Sequence, residues 1–193
     1  MRNTCVSLLA VLGIALCGSA GGAGFVPSDI AGLQIWFDAA DLSGLGVGSN
    51  PATGTAVAAW ADKSDSGLDA SQTNTARQPI YRTTVAALGY MPAVDFNGSS
   101  QGLGTAAFSS GDVRTAFVVT APKVTPQTGG YEWILAQIDN AYGSNDAWGI
   151  GLHPRPSDKF RASWYNGSSH GSSSDSVPFS VNTPYILSYV SNP

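Results

Sequence analysis

The chain has 193 residues and a mass of 19.8 kDa, with a formal net charge of −4, a sequence pI of about 4.8, and 11% charged against 43% hydrophobic residues. That is one domain's worth of chain, and its negative balance excludes nucleic-acid binding by bulk electrostatics. Five Trp, seven Tyr and seven Phe exclude a highly charged disordered polymer, and the confinement of both cysteines, Cys5 and Cys17, to the N-terminus excludes a disulfide scaffold.

Residues 1–23 read as a secretory signal peptide. Arg2 supplies the positive charge, and Val6 to Cys17 forms an apolar run too short to span a bilayer with margin. Gly18-Ser19-Ala20 and Gly21-Gly22-Ala23 place small residues for cleavage after Ala20 or Ala23. A lipid anchor on Cys17 is disfavoured by the bulky Leu16 before it. No later stretch is long enough for a membrane helix. The expected product, residues 24–193, is exported to the periplasm, cell surface or medium, and is soluble, acidic and free of cysteine.

The mature region reads as β throughout. Leu33 to Asp38 alternates, with Leu33, Ile35 and Phe37 on one face, and Val57 to Ala61 is a second apolar run. Met91 to Phe96 follows, with Pro92 marking an edge or entry position. Thr115 to Thr120 is apolar on both faces, as a strand covered on each side would be. Tyr131–Ala136, Trp148–Leu152, Phe160–Tyr165 and Tyr185–Val190 complete the set. Turn chemistry separates them at Ser43–Gly54, Asn97–Gly102, Thr125–Gly130, Asp139–Asp146 and Gly167–Ser176. One Glu and three Lys argue against helices. Short strands at this spacing predict an all-β sandwich or barrel. Tyr185–Val190 reads as a central strand, so further strands are expected after it and the chain as given is expected to be incomplete.

Several motifs recur in a recognisable order: Pro27-x-Asp29-Ile30-x-Gly32-Leu33, Trp36-x-Asp38-Ala39-x-Asp41 and Val57-x-x-Trp60-x-Asp62-Lys63-Ser64. Ala70-x-Gln72, Arg77-x-Pro79 and Pro92-Ala93-Val94-x-Phe96-x-Gly98 follow. Over residues 27–190 the chain resembles the laminin-G-like, concanavalin A-like lectin/glucanase domains of secreted bacterial proteins. The resemblance implies a jelly-roll of two antiparallel sheets in a superfamily that includes carbohydrate binders, protein binders, calcium binders and glycanases, so fold alone leaves function open. Where many relatives carry Asp-x-Ser-Gly-Asn-Gly, this chain has Asp62-Lys63-Ser64-Asp65-Ser66-Gly67, which predicts a different local turn.

A glycanase normally needs two carboxyl groups in distinct protonation states. Glu132 is the only glutamate, and nothing selects an aspartate pair, so no enzymatic activity is expected. Gly98-Ser99-Ser100-Gln101-Gly102 and Gly167-Ser168-Ser169-His170-Gly171 match a hydrolase elbow literally, but neither precedes a helical pattern. His153 and His170 lack metal-ligand spacing to another His or Cys.

Calcium is the better cofactor candidate, because hard cations take several oxygen ligands from one turn. Asp139, Asn140, Asn145 and Asp146 form one such loop, and Asp62, Asp65 and Asp69 form a second; both sets also suit ordinary turns. Sugars stack their C–H faces on exposed rings, which selects Tyr142, Trp164 and Tyr165 as ligand contacts, while Trp36 and Trp60 suit the core. Asp38, Asp62, Lys63, Gln72 and Arg77 read as paired polar braces. The expected protein is a secreted lectin-like module for cell-surface or matrix carbohydrate. A structural or protein-binding adhesion module and a glycoside hydrolase are the alternatives.

Overall fold

The computed structural model describes residues 25–108, 114–123, 132–137, 147–153, 159–165, 170–172 and 177–191. The expected signal peptide and the loops at Thr125–Gly130 and Asp139–Asp146 lie outside the described residues. Within them the fold is all-β, as expected, and every strand pairing is antiparallel. Strands β1 (Ala59–Trp60) and β2 (Ala70–Ser71) pair, as do β3 (Ile80–Val85) and β4 (Met91–Asp95). Strand β5 (Arg114–Thr120) pairs with the last strand, β10 (Tyr185–Ser191). A four-stranded sheet runs through β6 (Glu132–Gln137), β7 (Ala147–His153), β8 (Lys159–Tyr165) and β9 (His170–Ser172).

Two hydrophobic cores organise these elements. The first gathers Phe37, Ala39, Leu42, Val57, Trp60, Ala70, Tyr81 and Leu103. Trp60 is fully buried at its centre, with Phe37 5.5 Å away ring to ring. The second lies where the β5–β10 ladder meets the four-stranded sheet. Trp148 of β7 stacks on Tyr189 of β10 at 4.9 Å, and Phe160 of β8 meets Tyr185 edge-on at 4.9 Å. The Arg114 guanidinium adds a cation–π contact, 5.6 Å from the Trp148 ring. Leu135 of β6 packs against both cores.

The alternation at Leu33–Asp38 does not produce a strand. The backbone there is taken by the 62–68 loop: Trp36 N–H donates to Asp62 Oδ1 (2.8 Å), and the Trp36 carbonyl accepts from Lys63 N–H (2.8 Å). The Trp36 N–H and carbonyl are thereby withdrawn from any ladder at the middle of the segment. Strand β3 and the short β9, inside the expected Gly167–Ser176 loop, went unread; Thr83 and Thr84 are both exposed, so β3 never shows clean alternation. The outer face of β5–β10 is not covered among the described residues: Phe117, Ile186 and Val190 are 60–68% exposed. Asp65 does not strain its turn, since the positive φ falls on Gly67 (φ 64°).

Of the expected polar braces, Asp38, Asp62, Lys63 and Gln72 are paired through their side chains, whereas Arg77 is tied in through its backbone, its N–H donating to the Asn74 carbonyl and its carbonyl accepting from Gly102 N–H. Lys63 reaches Asp41 (3.0 Å) and Asp38 (3.3 Å), and its ammonium lies 4.6 Å from the Trp36 ring. The Asp62 carboxylate accepts from the N–H groups of Trp36, Ser64 and Leu68 and from the Ser64 hydroxyl. Burial pushes this carboxyl up, but those donors outweigh it and hold it below its usual 3.8. At Asp41, burial is likewise outweighed by Lys63 and by the N–H groups of Gly46 and Gly44. Burial lowers the Lys63 ammonium, yet Asp41 and Asp38 raise it above 10.5.

Two outcomes follow for stability. Asp62→Ala strands three backbone donors, so it should cost about 3 kcal/mol and lower Tm by roughly 6–12 °C in a thermal melt. The pH dependence follows from linkage. Stability supplied by depressed carboxyls is complete above 3.8 and drains as pH falls through their folded values. Stability supplied by Lys63 is complete below 10.5 and is lost as pH rises through its folded value. Tm should therefore hold steady between about pH 5 and 9 and fall on both sides. Asp62→Asn should flatten the acid limb, and an unchanged acid limb would count against this assignment.

Candidate functional site

A cleft of about 560 Å³ opens between the β3–β4 hairpin and the end of β5, a volume within the usual range for small-molecule sites. One wall is built by Arg82, Thr84 and Val85 of β3, the Ala86–Leu88 3₁₀ turn and Ala93 to Phe96 around β4. Val119 to Lys123 and Asn182 form the other. Trp133, Ile134 and Leu152 from β6 and β7 line it too. The cleft therefore combines aliphatic and aromatic surface with ionisable groups.

Local sequence explains the shape. Gly89 (φ 64°) and Tyr90 (φ 65°) both take left-handed backbone, turning the chain from the 3₁₀ turn back into β4. The positive φ is costly for Tyr90, which stands 72% exposed beside this turn. Across the cleft, Asn182 (φ 57°) donates its N–H to the Pro122 carbonyl, fastening the segment after β5 to the entry of β10. The Trp133 ring lies against Gly149 on the neighbouring strand: a Cβ there would meet two ring carbons at 2.6 and 2.7 Å and the Leu135 carbonyl at 2.8 Å. Only glycine lets the indole sit that close to the sheet backbone.

The charged part is a three-residue cluster. Asp95, at the end of β4, is 13% exposed at its side chain. It accepts from Arg82 Nε (3.1 Å) and, through both oxygens, from Lys123 Nζ (2.8 and 3.0 Å). The Lys123 bridge spans the cleft, joining the segment after β5 to β4. Arg82 and Lys123 side chains are 43% and 59% exposed, so both cations remain within reach of solvent.

The residues expected from sequence fall elsewhere. Tyr142 and the acidic loop Asp139, Asn140, Asn145 and Asp146 lie outside the described residues. Trp164 and Tyr165 are in β8, in register with Trp148 and Ala147 of β7. In the second acidic loop, Asp62 is occupied by internal donors, and Asp69 Oδ1 accepts from Asp62 N–H. No group of three His, Cys, Asp or Glu side chains that could hold a metal occurs among the described residues. Sequence reading missed Arg82, Asp95 and Lys123 because their juxtaposition depends on how β5 lies against the β3–β4 hairpin.

No protein-family model matches this chain, and no curated protein or solved structure is significantly similar to it.

Gly149→Ala should force the Trp133 ring away from the sheet. The overpacking should cost about 1–3 kcal/mol and alter the tryptophan fluorescence of the folded protein. A variant with the parent's melting curve and spectrum would show that the ring does not rest on Gly149.

Proposed function

We propose that the protein is a secreted, non-enzymatic, lectin-like module with a jelly-roll sandwich of the concanavalin A-like, laminin-G-like kind, and that its cleft holds a sugar of the cell surface or matrix. One observation carries the reading: the cleft sets Trp133, Phe96 and Pro122 beside Arg82, Asp95 and Lys123. Apolar and aromatic walls suit the C–H faces of a pyranose, and the charged cluster offers donors and an acceptor for its hydroxyls. Calcium held by Asp139, Asn140, Asn145 and Asp146 belongs to the same proposal, on the oxygen-rich sequence of that segment.

A structural or protein-binding module is the second reading. The exposed Phe117, Ile186 and Val190 favour it, since they share the outer face of β5–β10 and no charged residue lies among them. An exposed, uncharged apolar face of this kind is a natural contact surface for a protein partner.

A glycan array separates the two, run with residues 24–193 shown folded by circular dichroism, first in calcium and then in chelator. Selective capture is the expected result. Thr84→Trp, at an exposed strand position on the cleft wall, should weaken capture by about tenfold or more while leaving Tm in place. Undiminished capture by the folded variant would put the site elsewhere. A folded sample that captures no glycan would favour the protein-binding reading.

A further inference from the structure

We propose that the cleft between the β3–β4 hairpin and the end of β5 selects an acidic sugar, one whose ring carries a carboxylate as in the uronic acids. The inference rests on the carbohydrate reading and adds the charge of the ligand.

The argument is electrostatic. The chain carries 13 acidic against 9 basic residues, so an anion is repelled by its average surface. Among the described residues the ionisable lining of the cleft runs the other way: two cations, Arg82 and Lys123, face one carboxylate, Asp95. Asp95 is largely buried and neutralises one of them, leaving one positive charge at the mouth. Arg82 meets Asp95 through Nε, side-on, which leaves the terminal nitrogens of its fork outside that contact. A guanidinium so placed matches the two oxygens of a carboxylate. The Lys123 bridge is exposed, and such pairs are worth about 1 kcal/mol or less, so an incoming carboxylate can share Lys123 without a large penalty. Next to these cations, Phe96 and Trp133 supply surface for the face of the ring.

The test uses the full chain and a matched pair of probes: a galacturonic acid hexamer and the same hexamer with its carboxyls methyl-esterified. Calorimetric titration should show the free acid binding about tenfold tighter than the ester, the difference expected for one charge-assisted contact. The preference should shrink as salt rises from about 50 to about 500 mM. Arg82→Gln and Lys123→Gln, each made singly and shown folded by circular dichroism, should reduce the preference for the free acid by a larger factor than they weaken binding of the ester, whose ring contacts they do not remove. Equal or tighter binding of the ester would overturn the acidic-sugar inference and leave the carbohydrate reading standing. A preference that survives both substitutions would overturn the assignment to this cleft. A folded chain that binds neither hexamer, and no glycan on the array, would overturn both readings together.

Discussion

The backbone of residues 36–42 crosses the first core without a sheet partner, and its polar groups must be satisfied some other way. Trp36 pairs with Asp62 and Lys63. The Asp38 carbonyl accepts from the Trp60 indole (3.1 Å), and the Ala39 carbonyl accepts from the Tyr81 hydroxyl (3.1 Å). Asn50 serves two sites, donating to the Ala40 carbonyl (2.6 Å) and accepting from Leu42 N–H (2.7 Å). A buried donor or acceptor without a partner costs about 1–3 kcal/mol, so this set of side chains is as necessary as a neighbouring strand would be. It also fixes where Trp60 and Tyr81 stand, and hence where β3 leaves the core to form the cleft wall.

The same physics explains what could be read from the sequence. Asp38, Asp62 and Lys63 were legible as braces because half-buried charges in an apolar setting have to be paired. Strands with a single buried face or strong aromatic content, such as β7, β8 and β10, were legible from pattern alone. Leu33–Asp38 misled because period-two alternation reports which side chains are buried, not which partner takes the backbone. Strand β3 was hidden by its exposed threonines. Arg82 and Lys123 lie 41 positions apart, and no local spacing announces that both will meet Asp95.

The cleft sits where the two cores meet. Val94 and Phe96 pack on the first, Ile134 and Leu152 belong to the second, and Leu135 touches both. A seam of this kind exposes apolar surface that neither core covers by itself. Sugar faces and partner strands both exploit such surface, so apolar contact does not discriminate between them. Discrimination comes from the polar groups. A strand would ask for backbone donors and acceptors along a free edge, whereas a ring with hydroxyls asks for a few side chains converging from different elements. Arg82 from β3, Asp95 from β4 and Lys123 beyond β5 converge in the second way.

Net charge and local charge make different statements about ligands. A net of −4 argues against long runs of phosphate, because a polymer samples the field over many Debye lengths. A single carboxylate samples only about 8 Å at physiological salt, and within that radius it meets Arg82, Asp95 and Lys123 rather than the average surface. The acidic average surface then works with the cleft: it disfavours anions in general, whereas in the cleft, among the described residues, two cations face one carboxylate. An acidic ligand bound there would be held by a local excess of one charge, which is enough for selectivity and too little for tight binding without the ring contact from Phe96 and Trp133. Charge and stacking are therefore expected to be coupled. Loss of either should weaken recognition by more than its share, because each holds the sugar in the pose that the other requires.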